Sequence, residues 1–463
     1  MVSFLIGART TSFYLMLDMG IGKTAVALNL IRYRMQQGLV RRALILVPGV
    51  ANVGEWIEQG SIHTPDLTVE GLRDDTQTRT ETLLGYSNIL VVTYMGWLAM
   101  VCSRQPTGNG KRRMQIEKKL AHNIERMFDF VVFDESTSLK NNTTLTFSAC
   151  RRLSRLPFKL ALSGTPFGTD PQDLWSQFYA LDRGETLGKT LGLFRAGYCT
   201  EKENYWTGFS EYKFDKRKHA SLRRAIQNRS IRYSADDCLD LPPSVGGIRN
   251  PMYRRADLPK ETLVYYTRIV EELKALGSGE MPQIEGVYVK MRQITAGFLI
   301  AGDTVIKFRE NPKLELLVGL LREVPTDCKV LVYNEFHVSG DLICERLKKE
   351  KIGHVRMYGK TPRKDEVVAR FKQDPKAQVL VGSRTVAFGL NLQVANYVAF
   401  FESPDSLILR EQFEKRVRRP GQGKTTFYYD LALRGTVDEK IVSVLHEGRN
   451  LHDVLIDGGR ALI

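Results

Sequence analysis

The stretch LMLDMGIGKTAVAL (15–28) carries an apolar run to Asp18, then Gly20, Gly22, Lys23 and Thr24, then a helical pattern with Val26, Leu30 and Tyr33 on one stripe. Glycines let successive backbone N–H groups close around phosphate oxygens, and a helix N-terminus adds its partial positive charge. In such a cradle Lys23 reaches the β- and γ-phosphates and the Thr24 hydroxyl sits on Mg2+. The strict spacing has a further glycine five positions before Gly22, where this chain has Leu17. A similar stretch, GQGKT (421–425), follows arginines and runs into the strand-like TTFYYDL. No helix N-terminus follows it, so it is set aside.

Three other stretches carry chemistry. In FDFVVFDESTSLKN (128–141), Asp134 and Glu135 close an apolar strand, where open α/β sheets place their ligands. Asp134 suits Mg2+, and Glu135 suits the orientation and deprotonation of an attacking water. In LALSGTPFGTDPQDLWSQF (160–178), Ser163, Gly164 and Thr165 close another strand. The hydroxyls of Ser163 and Thr165 are candidates for coupling the acidic pair to movement. Asp170 reads there as a helix N-cap, with Pro171 at the first helical position. In EQFEKRVRRPGQ (411–422), Gln412, Arg416 and Arg419 share a face if the segment is helical. Two planar guanidiniums aimed at a γ-phosphate serve as arginine fingers.

These residues need parallel strands to hold them. ALILV (43–47), ILVVT (89–93), FVVFD (130–134) and FKLALS (158–163) alternate with helical stretches in the first part of the chain. KVLVY (329–333), GHVRM (353–357), QVLVG (378–382), YVAFF (397–401) and TTFYYDL (425–431) repeat the pattern in the last part. Near-continuous apolar strands of this kind belong to parallel sheets covered on both faces. The reading is an α/β protein with lobes at 1–184 and 310–463, and a mostly helical, basic insertion and spacer at 185–309. Residues 213–232 carry eight Lys/Arg and one acidic residue, Asp215.

The 463 residues are 43% hydrophobic and 26% charged, which excludes a disordered or fibrous chain. At roughly 150 residues per domain the length suggests about three compact units. A net charge of +15 favours a polyanionic partner. The apolar run 89–102 falls short of the roughly 18 residues of a membrane span, so no membrane partner is expected. Six cysteines without a CxxC pair argue against a zinc site or a disulfide framework, and point to a reduced, cytoplasmic setting.

Together the four stretches resemble the Swi/Snf-like DNA-dependent ATPases of helicase superfamily two. The likeness extends through ALILVPGVANVGEW (43–56), with Pro48 and Trp56 in place, DLPP (240–243), KMRQITAG (290–297), NPKLELL (311–317), KVLVYNEF (329–336) and VGSRTVAFGLNLQVANYVAFFE (381–402). It covers nearly the whole chain and implies two RecA-like lobes with MgATP between them. By resemblance, Gly20, Gly22, Lys23, Thr24 and Gln412 bind ATP, and Thr24 and Asp134 hold the metal. Lys23, Asp134, Glu135, Arg416 and Arg419 are catalytic, while Thr93, Ser383 and Asn391 contact nucleic acid. The expected activity is translocation along duplex DNA. The alternatives are strand separation on forks, R-loops or RNA, and a nucleotide-dependent clamp. The family's adenine-reading glutamine precedes the phosphate loop, whereas the first glutamine here is Gln36; either the N-terminus is cut short or the base is read otherwise. Thr137 stands where relatives commonly have His. The little chain outside the motor suggests a compact bacterial or viral type.

Overall fold

The computed structural model describes residues 1–18, 20–72, 81–106, 112–164, 171–203, 210–276, 281–359, 361–387, 392–449, 451 and 454. It divides into two compact units, Met1–Leu239 and Asp240–Ile463, rather than the three that length suggests.

In the first unit seven parallel strands stand in the order 230–233, 12–17, 158–162, 130–133, 43–47, 89–93, 69–71. Successive side chains of each strand enter opposite cores. Tyr14, Met16, Leu44, Leu46, Val131 and Phe133 line one, and Phe13, Leu15, Leu17, Ile45, Val47 and Val132 the other. Burial on both faces is why these strands read as unbroken apolar runs. Helix Lys23–Gln36 packs into the second core through Ala27, Leu28, Leu30 and Ile31. Tyr33, expected on its apolar stripe, is 37% exposed, and Arg34 is buried instead. The Arg34 guanidinium donates to the carbonyls of Gly7, Ala8 and Thr10 at 3.2, 3.3 and 2.5 Å. It thereby satisfies carbonyls that helix Val2–Arg9 leaves open at its C-terminus.

The second unit has parallel strands in the order 244–246, 426–433, 395–400, 329–333, 379–382, 354–357, with 253–256 also paired to 426–433. The same alternation splits its core: Leu331, Tyr333, Val398 and Phe400 face one way, Val330, Val332, Ala399 and Phe401 the other. Helices Lys260–Leu276, Met281–Thr295 and Val437–His446 form a further apolar cluster.

Residues 185–309, expected as one insertion, are shared between the units. Ser230–Tyr233 is the edge strand beside Ser12–Leu17, while Ser244–Gly246 and Tyr253–Ala256 pair with Thr426–Leu433. Strand pairing rests on backbone hydrogen bonds from distant chain, and SIRY and YRRA are too short and polar to announce it. Helix still outweighs strand in the stretch. Lys213, Lys216, Arg217, Lys218, Arg223, Arg224 and Arg232 are solvent-exposed, so the basic run presents a charged face. Among the described residues no helix is long and apolar enough to cross a membrane.

Candidate nucleotide site

Strands Ser12–Leu17, Phe158–Leu162 and Phe130–Phe133 are parallel neighbours, with Leu15 opposite Leu162 and Ala161 opposite Phe133. Their carboxyl ends emerge side by side and deliver the three sequence motifs to one edge. Gly20 and Gly22 take φ of 86° and 83°, in the left-handed region that only glycine enters without strain. Gly22 caps helix Lys23–Gln36, and a Cβ added there would meet nothing within 4 Å, so the loop opens onto free space. Lys23 Nζ donates to the Leu17 carbonyl at 2.8 Å, and Thr24 follows in the first helical turn. A Cβ on Gly164 would lie 3.2 Å from the Leu17 oxygen and 3.4 Å from Lys23 Nζ, so the close approach of Gly164 to the phosphate loop depends on its being glycine.

Asp134 is held from several sides. Trp56 Nε1 donates to its Oδ2 at 2.8 Å, the Glu135 N–H donates to its Oδ1 at 3.0 Å, and Tyr94 Oη donates to its carbonyl at 2.9 Å. Burial pushes its carboxyl up to about 7 and adjacent Glu135 adds to this, while the Trp56 hydrogen bond and the Lys23 charge oppose it. Glu135 has φ 44° and ψ 59°, a left-handed conformation uncommon for a residue with a Cβ. Its Oε2 is buried and accepts no hydrogen bond. Such an acceptor is costly unless another group completes it.

Ser163 is fully buried and hydrogen-bonds Tyr14. Thr165 and Asp170 lie outside the described residues. The helix after them begins at Asp173 with Gln172 as its N-cap, two residues beyond the expected first position, Pro171. Thr93 accepts from the Gly96 N–H at 2.9 Å and so caps helix Tyr94–Val101. Sequence reading placed Trp56 only within the 43–56 likeness and singled out none of Tyr14, Tyr94 or Gln177. Their signal was faint: aromatic residues with a polar handle, or a lone amide, inside apolar stretches.

In the second unit, helix Leu407–Glu414 includes Gln412 but ends before Arg416 and Arg419, so the expected shared helical face is not formed. Beyond Glu414 the backbone continues in short turns, the Arg416 N–H donating to the Phe413 carbonyl at 3.1 Å, and the Gln422 amide donates to the carbonyls of Gln393, Ala395 and Val417 at 3.1, 2.8 and 3.2 Å. Gln412, Arg416 and Arg419 are all buried, and Arg419 Nε donates to the Lys415 carbonyl at 2.9 Å. GQGKT leads directly into strand Thr426–Leu433, with Lys424 paired to Asp327. Ser383 lies just beyond strand Val379–Gly382, half-buried; Asn391 lies outside the described residues.

A parallel sheet that brings a Gly-Lys-Thr loop and an Asp-Glu pair to one edge has the design of phosphate-loop α/β proteins. The family model described as SNF2-related domain matches residues 2–260, and that described as helicase conserved C-terminal domain matches 312–421. The chain belongs to the SNF2-related family. It is 22% identical to the Bacillus subtilis uncharacterized ATP-dependent helicase YqhH, over 95% of this chain and 75% of that one. It is also 22% identical to the probable ATP-dependent DNA helicase CHR12 of Arabidopsis thaliana, over 96% of this chain and 40% of that one. The chain spans only 34% to 48% of the length of seven of the curated relatives it matches. The solved SWI2/SNF2 ATPase core of Sulfolobus solfataricus with double-stranded DNA is 22% identical, with a TM-score of 0.42 over 99% of this chain and 92% of that one.

Proposed function

We propose that this chain is a DNA-stimulated ATPase that hydrolyses ATP to translocate along or remodel duplex DNA. The observation that carries the reading is the meeting of Lys23, Asp134 and Glu135 at one sheet edge, with a buried oxygen of Glu135 left unpaired. Membership of the SNF2-related family and relatives named as ATP-dependent helicases support ATP turnover.

The loop glycines and helix N-terminus would receive the phosphates, with Lys23 exchanging the Leu17 carbonyl for a phosphate oxygen. Two desolvated carboxylates side by side favour a cation, and their hard oxygen donors suit Mg2+. Among the described residues no group of three or more His, Cys, Asp or Glu could hold a metal. That suits an ion held by one or two protein groups and substrate phosphates, with Asp134 and Thr24 as the holders. When bound, Mg2+ neutralises charge on the phosphates. Glu135 orients the attacking water and accepts its proton. Arg416 and Arg419 stabilise charge on the transferring phosphate, and Gln412 supports the nucleotide.

Thr93, Ser383 and Asn391 contact DNA, together with the exposed cations of 213–232. Phosphate contacts position a protein without reading sequence, as a motor on any duplex requires. DNA affinity therefore falls steeply with salt as counterions are released, and a flat response contradicts this interface.

The test is ATP hydrolysis by the purified chain, alone and with duplex, single-stranded or forked DNA or RNA, with Glu135→Gln beside it. Stimulation by plain duplex supports the motor. A stronger response to forks or RNA replaces it with a strand-separating helicase. ATP and DNA binding without turnover replaces it with a clamp.

A further inference from the structure

One buried group of polar side chains is not used by the reaction outlined above. Tyr14 Oη donates to Gln177 Oε1 at 2.5 Å, and the Ser136 hydroxyl lies 2.7 Å from Tyr14 Oη and 3.0 Å from Gln177 Oε1. Gln177 Nε2 donates to the Asp173 carbonyl at 2.7 Å, which fixes the amide oxygen toward the two hydroxyls. Tyr14, Ser136 and Gln177 are at most 1% exposed, and they come from positions 122 and 163 residues apart.

An apolar trio of the same shape would fill this space without the cost of stripping water from three polar groups. The place of the trio gives it another use. Ser136 follows Glu135, whose left-handed backbone persists only if its surroundings hold it there. The unpaired Oε2 of Glu135 does not restrain it; the main chain on either side does. On one side Tyr94 Oη holds the Asp134 carbonyl, and on the other Ser136 is held by Tyr14 and Gln177. Tyr14 lies on the strand that feeds the phosphate loop, so the same hub also ties Glu135 to Lys23.

The geometry points to Tyr14 and Gln177 as positioning residues that fix the Glu135 carboxylate relative to the phosphate loop through Ser136. This rests on the reading of Glu135 as the base in ATP hydrolysis. Tyr14→Phe and Gln177→Leu remove the hydrogen bonds while keeping most of the shape.

The test measures duplex-stimulated ATP turnover, affinity for a fluorescent ATP analogue and the thermal midpoint of the full chain. Each single variant lowers kcat about tenfold or more, because small misplacements of a reacting group are costly. KM and analogue affinity stay within about twofold, since ground-state binding is untouched. The triple variant Tyr14→Phe, Ser136→Ala, Gln177→Leu removes the three mutual partners together, so none faces an orphaned neighbour within the trio, and it regains thermal midpoint relative to the single variants while kcat stays low. Turnover that recovers along with the midpoint overturns the proposal, and so does an unchanged kcat in both single variants. Glu135→Gln separates the two readings. If it still turns over, the assignment of Glu135 fails. If it is inactive while Tyr14→Phe and Gln177→Leu remain fully active, only the positioning role fails.

Discussion

The two units share one design, a parallel sheet with apolar cores on both faces, yet Glu135 in the first and Arg410 in the second are satisfied in opposite ways. At the carboxyl edge of the first sheet, neutral hydroxyls and an amide satisfy one another and leave the Glu135 carboxylate with an open valence. In the second unit one buried arginine is closed by two carboxylates. Arg410, fully buried, meets Asp430 at 2.6 and 2.9 Å and Glu414 at 2.7 Å, and its guanidinium lies 3.3 Å over the Phe400 ring. Arg384, more than half exposed, bridges Glu335 and Asp405 at 2.7 and 2.9 Å nearer the surface. A carboxylate without a partner is ready for a ligand, whereas one paired to arginine is committed to the fold. The first edge therefore keeps a carboxylate open for chemistry, while Arg410 is committed to the fold.

Arg419 is the sharpest challenge to that division, since it is a buried arginine of the second unit assigned to catalysis. Arg419→Ala should leave ATP binding intact and lower DNA-stimulated turnover by about 10³-fold or more; equal loss of binding and turnover returns Arg419 to the structural class. Glu135→Gln should lower turnover by about 10²–10⁴-fold with nucleotide still bound, read by single-turnover hydrolysis. Arg410→Met tests the other side. Leaving Asp430 and Glu414 buried without their cation should cost about 3–5 kcal/mol, visible as earlier urea unfolding of the second unit while nucleotide binding by the first persists.

The smallest effect concerns Glu402. Burial raises its carboxyl from 4.5 to about 7, against the opposing pull of Lys313, Ser339, the Glu335 N–H and Arg292. Between those values the native state holds more protons than the unfolded one, so stability falls as pH rises through the window. Glu402→Gln should flatten that fall in a series of thermal melts, and an unchanged slope removes Glu402 as its source.

Much of this was legible in the chain itself. ALILV, ILVVT and KVLVY are strands residue for residue, because a strand buried on both faces needs an unbroken apolar run. The Gly20–Thr24 loop and the Asp134–Glu135 pair announced themselves because their chemistry needs those types at that spacing. The helix through Arg416 and Arg419 did not form; Pro420 and Gly421 directly after Arg419 are a local stop signal, but where the segment goes instead was not legible. Its residues are helix-compatible, but Gln422 bonds carbonyls of a strand edge far away in sequence.

The sequence by itself therefore determined the elements and the reactive groups, since both rest on local composition and period. The tertiary structure alone decided adjacency. It placed Ser230–Tyr233 on the first sheet, buried Arg34 under helix Val2–Arg9, and joined Tyr14, Ser136 and Gln177 beside a strained glutamate. Pairing and burial are settled by which distant groups can satisfy each other away from water, and that choice has no signature in any single stretch of chain.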